Sequence, residues 1–172
     1  MEVVETPSYT PRKGLKRKND PYKRRALKNA TKRRTVASGG KPKSVSKLKK
    51  ELDTVFSKFI RYGAADKDGN ATCYTCNRTY PAKKLHAGHY ILRGYMNTRW
   101  DEMNVKPQCG VDNLWRKGEP VIFRENLVRD YGEQAVLELE ARRHTLFKAT
   151  TVFLEEKKTH YQQQLASLTE KQ

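Results

Sequence analysis

The chain has 172 residues, a length that suits one domain or one domain with a tail, and only 36% of them are apolar. Its formal net charge of +17 is lopsided: residues 1–50 hold 17 of the 36 Lys/Arg and three of the 19 acids, a balance of +14, against 19 basic and 16 acidic side chains, +3, in the other 122. No run approaches the roughly 18 apolar residues of a membrane span, and the opening "MEVVETPSYTPRKG" does not resemble a secretory signal, so no membrane span is expected and a cytosolic protein is.

In chain order, residues 1–43 mix "KRK", "KRR" and "KRR" with Pro, Ser and Gly, and show no sustained apolar period. They are expected to form a disordered basic tail. Such a tail suits a polyanionic partner, DNA or RNA first, because each neutralised phosphate releases condensed counterions. Residues 44–172 form the domain. From Ser44, the segment "SVSKLKKELDTVFSKFIRYG" places Leu48, Leu52, Val55, Phe56, Phe59 and Ile60 at helical spacing before Gly63, which predicts an amphipathic helix. Residues 64–91, with "DKDGN", "ATCYTC" and "KLHAGHYI", read as a β-hairpin region. Residues 92–108 read as a polar loop. "DNLWRKG" can start a helix with Asp112 or Asn113 near its N-cap. Helical patterns follow around Val121–Tyr131, in "EQAVLELEARR" after Gly132, and over about 150–168. The fold class expected is α+β.

Three cysteines in a reducing compartment, two of them in C-x-x-C, favour metal over disulfides. Cys73 and Cys76 have the spacing with which one tight turn grips one ion. Cys109 needs a partner, and Asp112 stands in the same register from Cys109 as Cys76 does from Cys73. A carboxylate is an acceptable zinc ligand, so a Cys3Asp site is reasonable. His86 as the fourth ligand and an open three-ligand site are the alternatives. A cysteine-ligated, closed zinc site is structural and leaves no position for a reacting water. Chemistry is therefore sought among His86, His89, Asn104 and Asn113, which lie between and just after the two knuckles. A histidine near neutral pKa can take a proton from water while amide or imidazole groups hold a divalent ion against phosphate. His144 and His160 fall on predicted helices away from this region, and Asn97 is an alternative to Asn104.

The pattern C-x-x-C, "HAGHY", "NVKPQC" and C-x-x-D-N resembles the HNH, or ββα-metal, nucleases. It most closely resembles the phage lambda NinG/Rap recombination endonucleases, with a more distant likeness to the endonuclease VII junction resolvases. The likeness runs from about Leu48 to Leu168 and includes "GEQAVLELEARR". It implies a small zinc-stapled ββα core with flanking helices. It makes His89 the general base, Asn113 a ligand of a catalytic Mg2+ or Mn2+ ion, and Asn104 the brace that orients the histidine. His86 stands where aspartate is expected, as a second residue on the metal side. Asp112 replaces an expected cysteine. The function implied is metal-dependent, structure-selective cleavage of branched DNA such as Holliday junctions and D-loops, by a homodimer, in the host cytoplasm if the chain is phage-encoded. Arg93, Arg99, Lys106, Arg116 and Lys117 flank the motif and are expected as a group to contact phosphates. The two other readings are a non-catalytic zinc module that binds nucleic acid and an HNH nuclease of the homing or restriction type.

Overall fold

A stripe of Leu48, Leu52, Phe56 and Ile60, one residue every four, commits the segment after Ser44 to a helix with one buried face. In the computed structural model, which describes residues 43–169, this is α1, Val45–Gly63, and the Ser44 hydroxyl caps it by accepting from Lys47 N at 3.2 Å. The basic tail expected over residues 1–43 lies almost wholly outside the described residues.

Two short antiparallel pairs follow. Asn70–Thr72 (β1) pairs with Thr79–Pro81 (β2). His86–His89 (β3) pairs with Val105–Gln108 (β4) in the register His86 to Gln108 and His89 to Val105. β4 corrects the expectation of a loop over 92–108, since its last four residues are a strand. "VKPQ" hid it: Pro107 weakens a strand prediction. In a two-stranded sheet, however, every strand is an edge strand, where a missing N–H is tolerated.

"DNLWRKG" forms only a five-residue π-helical turn, Val111–Trp115, preceded by Gly110; Asp112 and Asn113 lie inside it and not at its cap. Three consecutive residues with positive φ, Lys117 (54°), Gly118 (86°) and Glu119 (48°), then stop it. Helices α2, Pro120–Tyr131, and α3, Glu133–Arg142, are split at Gly132, whose φ of 83° ends the first. The last helix, α4, is Thr151–Thr169. The domain is therefore mixed α+β with two small sheets.

The apolar residues gather in three clusters. α1 and α4 pack on each other with Trp100 and Val105; the Phe56 and Tyr161 rings lie 4.8 Å apart and the Phe59 and Tyr161 rings 5.0 Å apart. Both helices thus spend their apolar faces on each other within the chain. A second cluster joins Ala71, Cys73, Ala82, Leu85 and Cys109, and a third joins Ile91 to Phe123, Leu127, Val136 and Leu139 of α2 and α3. Among the described residues no helix is long and apolar enough to cross a membrane.

Candidate metal centre and active site

The Cys73–Cys76 turn is closed by Asn77 N donating to Cys73 O at 3.0 Å and Cys73 N to Arg78 O at 2.8 Å. Asn77, at φ 55°, supplies the left-handed residue that such a turn needs and that asparagine tolerates well. Tyr74 N donates to Pro107 O at 2.8 Å, which seats this turn on β4 and brings it to Cys109 and the π-helical turn. The ligand atoms of Cys73, Cys76, Cys109 and Asp112 come within 4.8 Å of one another.

Local distances match a tetrahedral ion. Zn–S bonds of about 2.3 Å and Zn–O bonds near 2.0 Å require S···S edges of about 3.8 Å and S···O edges of about 3.5 Å. Cys76 Sγ and Cys109 Sγ are 3.9 Å apart, and Cys73 Sγ and Asp112 Oδ2 are 3.5 Å apart. Backbone amides aim at the sulfurs, Cys109 N at Cys73 Sγ (3.2 Å) and Asp112 N at Cys109 Sγ (3.5 Å), as thiolates demand. Burial pushes the Cys73 thiol up, but the Thr75 hydroxyl and the amides around it outweigh burial and leave it below the ordinary thiol range. Burial, with the neighbouring Cys73 and Cys109 sulfurs, pushes Cys76 up to about 12, the penalty of crowding sulfurs that a cation would relieve. The donor set fits a structural zinc. His86 lies outside this cluster, and Asp112 is the residue placed to serve as the fourth ligand.

Sequence reasoning missed two supports of this centre. Asp112, 2% exposed, accepts at Oδ2 from the Thr75 hydroxyl at 2.6 Å. Gln108 Nε2 donates to Thr75 Oγ1 at 3.2 Å and to Gly118 O at 2.8 Å. The available signal was a hydroxyl inside C-Y-T-C facing a carboxylate in place of a thiolate.

Beside the centre, Asn113 Nδ2 lies 3.2 Å from His86 Nδ1. The register of His86 opposite Gln108, with Cys109 next in chain, carries the imidazole to the π-helical turn. Nε2 of His86 has no hydrogen-bond partner among the described residues. His89 is three residues along β3, and strand alternation turns it to the other face. There its Nε2 is 3.1 Å from Arg99 O and its Nδ1 3.2 Å from Ala87 O. A neutral ring donates to only one of them. Burial holds its pKa below the ordinary histidine range, against the pull of the two carbonyls. The structure thus brings His86 and Asn113 together and sets His89 apart from them.

Asn104, fully buried, accepts from Ile91 N at 2.7 Å and donates to Ile91 O (3.0 Å) and Thr98 O (2.9 Å). It ties both ends of the 91–104 loop, the loop whose Arg99 carbonyl faces His89. Asn97 instead donates to Arg142 O at 2.9 Å.

The five cations do not form one free group. Arg99 is held by Asp53 at 2.6 Å with its side chain 15% exposed, so its guanidinium is already engaged within the chain. Lys106 donates to the Tyr131 hydroxyl and lies 4.8 Å from the centroid of that ring. Arg116 is shared between Asp112 (3.4 Å) and Glu119 (3.7 Å) but keeps a 59% exposed side chain. Arg93 and Lys117 are exposed.

A family model described as "Bacteriophage Lambda NinG protein" matches residues 5–171. Over 120 residues the chain is 31% identical to Protein ninG of Escherichia phage 933W, covering 69% of this chain and 57% of that one. It is 30% identical to Protein ninG of Escherichia phage lambda and 32% to that of Salmonella phage P22, each over 69% of this chain and 56% of the relative. The match therefore spans little more than half the length of these relatives. No solved structure matches the chain.

Proposed function

Because the chain belongs to the NinG family of bacteriophage lambda, we propose that it is a structure-selective DNA endonuclease that hydrolyses phosphodiester bonds at branched recombination intermediates. The observation that carries this reading is the His86–Asn113 pair at 3.2 Å, held one residue beyond a Cys3Asp centre by the hairpin β3–β4 and the turn that follows it. That order of hairpin, metal knuckle and helical turn supports an HNH-like ββα core. The +17 charge supports a nucleic-acid partner, and the setting is the host cytoplasm.

Zinc would be held by Cys73, Cys76, Cys109 and Asp112 and would fix the scaffold. Asn113 and His86 carry no carboxylate, so they suit a hard Mg2+ or Mn2+ ion only as one shared with substrate phosphate and water. Such an ion supplies charge neutralisation on the phosphate. In this reading His89 takes the proton of the attacking water: burial keeps it neutral, and with Nε2 donating to Arg99 O, Nδ1 becomes the basic nitrogen once it turns away from Ala87 O. Asn104 positions His89 by holding the loop that carries Arg99.

One observation favours His86 as the base instead. Its Nε2 is free, and rotating the Asn113 amide so that Oδ1 accepts from Nδ1 would orient the ring as an asparagine orients a catalytic histidine. The test is cleavage of a four-way junction and of linear duplex, with and without Mg2+, by the wild type and by His86→Ala, His89→Ala and Asn113→Ala proteins of verified zinc content. Loss with His89→Ala at retained His86→Ala activity supports the leading assignment, and the reverse supports the second. Undiminished cleavage by all three, or none by the wild type on any DNA, removes the enzyme reading and leaves a zinc-containing binding module.

A further inference from the structure

The π-helical turn that buries Asp112 turns its other side chains outward. Val111 is 52% exposed, Leu114 62% and Trp115 83%. A tryptophan this bare is unusual, because burying it is among the largest apolar gains a small domain can make. The domain's other tryptophan, Trp100, is 4% exposed. Trp115 is also rigidly presented. At one end its turn is fixed by Cys109 and Asp112 of the metal cluster. At the other, Gly118 N donates to Asp112 O at 2.7 Å and Gly118 O accepts from Gln108. Lys117 and Glu119 hold left-handed φ in this exit, a strain that persists only where surrounding contacts over-determine it.

We propose that Leu114 and Trp115 form a wedge that enters a DNA branch point, with the Trp115 indole stacked on a base that has lost its neighbour. The proposal rests on the nucleic-acid reading above and adds the feature of DNA that is recognised. Exposed Arg116 and Lys117 follow immediately in the chain, the cationic flank that phosphates beside an unpaired base would need. Three apolar side chains are too few for a stable protein interface, which takes about 800 Å² from each partner. A flat aromatic ring beside cations instead matches a single nucleobase and its phosphates. In duplex DNA every base already has its stacking partners, so the wedge discriminates by the presence of an open step. Trp115 is two residues from Asn113 in the same helical turn, about 5–6 Å between their Cα atoms, which spans about one to two nucleotides of one strand. Cleavage is thereby placed within a few nucleotides of the branch.

The experiment compares the full-length wild type with Trp115→Ala and Trp115→Phe. Binding is measured by anisotropy on a four-way DNA junction and on a duplex of the same sequence, with a fluorescent adenine analogue at the branch. Trp115→Ala is expected to weaken junction binding about 10-fold, the size of one lost base–aromatic stack, and to change duplex binding by less than about two-fold. Trp115→Phe restores most of the loss, and quenching of the analogue by the wild type disappears with alanine. Exposure of the side chain leaves the thermal midpoint unmoved in both variants. Equal weakening on both DNAs, undiminished junction binding or unchanged quenching overturns the proposal. So does a fall in sedimentation mass with DNA affinity intact, which would make the patch a protein contact. A wild type that binds neither DNA overturns the nucleic-acid reading itself, a different result from any of these.

Discussion

The Thr75 hydroxyl donates to Asp112 Oδ2 at 2.6 Å and itself accepts from Gln108 Nε2 at 3.2 Å, so the carboxylate that completes the metal cluster is set by a directed chain of three side chains. A carboxylate has two oxygens and a free torsion where a thiolate has one sulfur, and this chain selects one of the oxygens. Thr75→Val keeps the shape of the side chain and removes the donor. It is expected to lower zinc affinity about 10-fold or more, read by competition with a chromophoric chelator. Unchanged affinity would show that Asp112 is placed without help.

Removing the ion tests the larger claim. The second apolar cluster buries Ala71, Cys73, Ala82, Leu85 and Cys109, with Tyr62, Ala65, Cys76 and Tyr80 half-buried against them, a small core for holding two knuckles together by burial alone. Purified protein should carry one zinc per chain, and a strong chelator should lower the thermal midpoint by on the order of 10 °C. Metal-free protein with an unshifted midpoint would refute the assignment.

Gly88 is required by packing and not by backbone conformation. A Cβ there would sit 1.9 Å from Gln108 Oε1 and 2.6 Å from its Cδ, and Gln108 is fully buried and pinned at Nε2 by Thr75 and Gly118. Gly88→Ala should destabilise the fold by about 2 kcal/mol and weaken zinc binding with it, measured by denaturant titration and metal competition. Wild-type values for both would mean that Gln108 is free to move.

What could be read from sequence was whatever repeats over a few residues. The α1 stripe from Leu48 to Ile60 and the paired C-x-x-C and C-x-x-D knuckles announce themselves through local spacing. The contact of His86 with Asn113 does not, because it depends on the β3–β4 register and on a strand that Lys106 and Pro107 disguise. The separation of His89 from that pair follows from strand parity, which "HAGHY" conceals until His86 is known to lie within β3. The engagement of Arg99 by Asp53, 46 residues away, is likewise invisible in the sequence.

Asn104 satisfies three backbone groups with one amide: Ile91 N, Ile91 O and Thr98 O. Asn104→Ala orphans these groups in a buried site and should destabilise the domain by about 2–3 kcal/mol, seen as a lowered denaturant midpoint. Asn104→Asp keeps the acceptor but faces Ile91 O and Thr98 O with an oxygen, and should do no better. A variant as stable as the wild type would remove the bracing role.

His89 makes the fold acid-sensitive. Its folded pKa is depressed by burial, so the unfolded chain takes up the proton more readily than the native one. Stability is whole above the unfolded value of about 6.5 and declines as pH falls from there toward the folded pKa. His89→Gln should flatten that decline relative to wild type, in stability measured across the range with zinc in excess. Parallel curves for the two proteins would show that the ring does not titrate on unfolding.

The three apolar clusters are joined by short strands, the metal knuckles and a few side-chain links, such as Arg61 of α1 donating to the carbonyls of Ala82, Lys83 and Leu85, and this has a consequence for how the molecule comes apart. A single continuous core melts as a unit, whereas modules coupled through one small joint can lose that joint first. Hydrogen exchange after chelation should open the β1–β2 and β3–β4 amides and release α2 and α3. The α1–α4 pair, locked by Phe56, Phe59 and Tyr161, should stay slow to exchange. Zinc supply would then govern the half of the domain that holds the metal cluster independently of the helical pair.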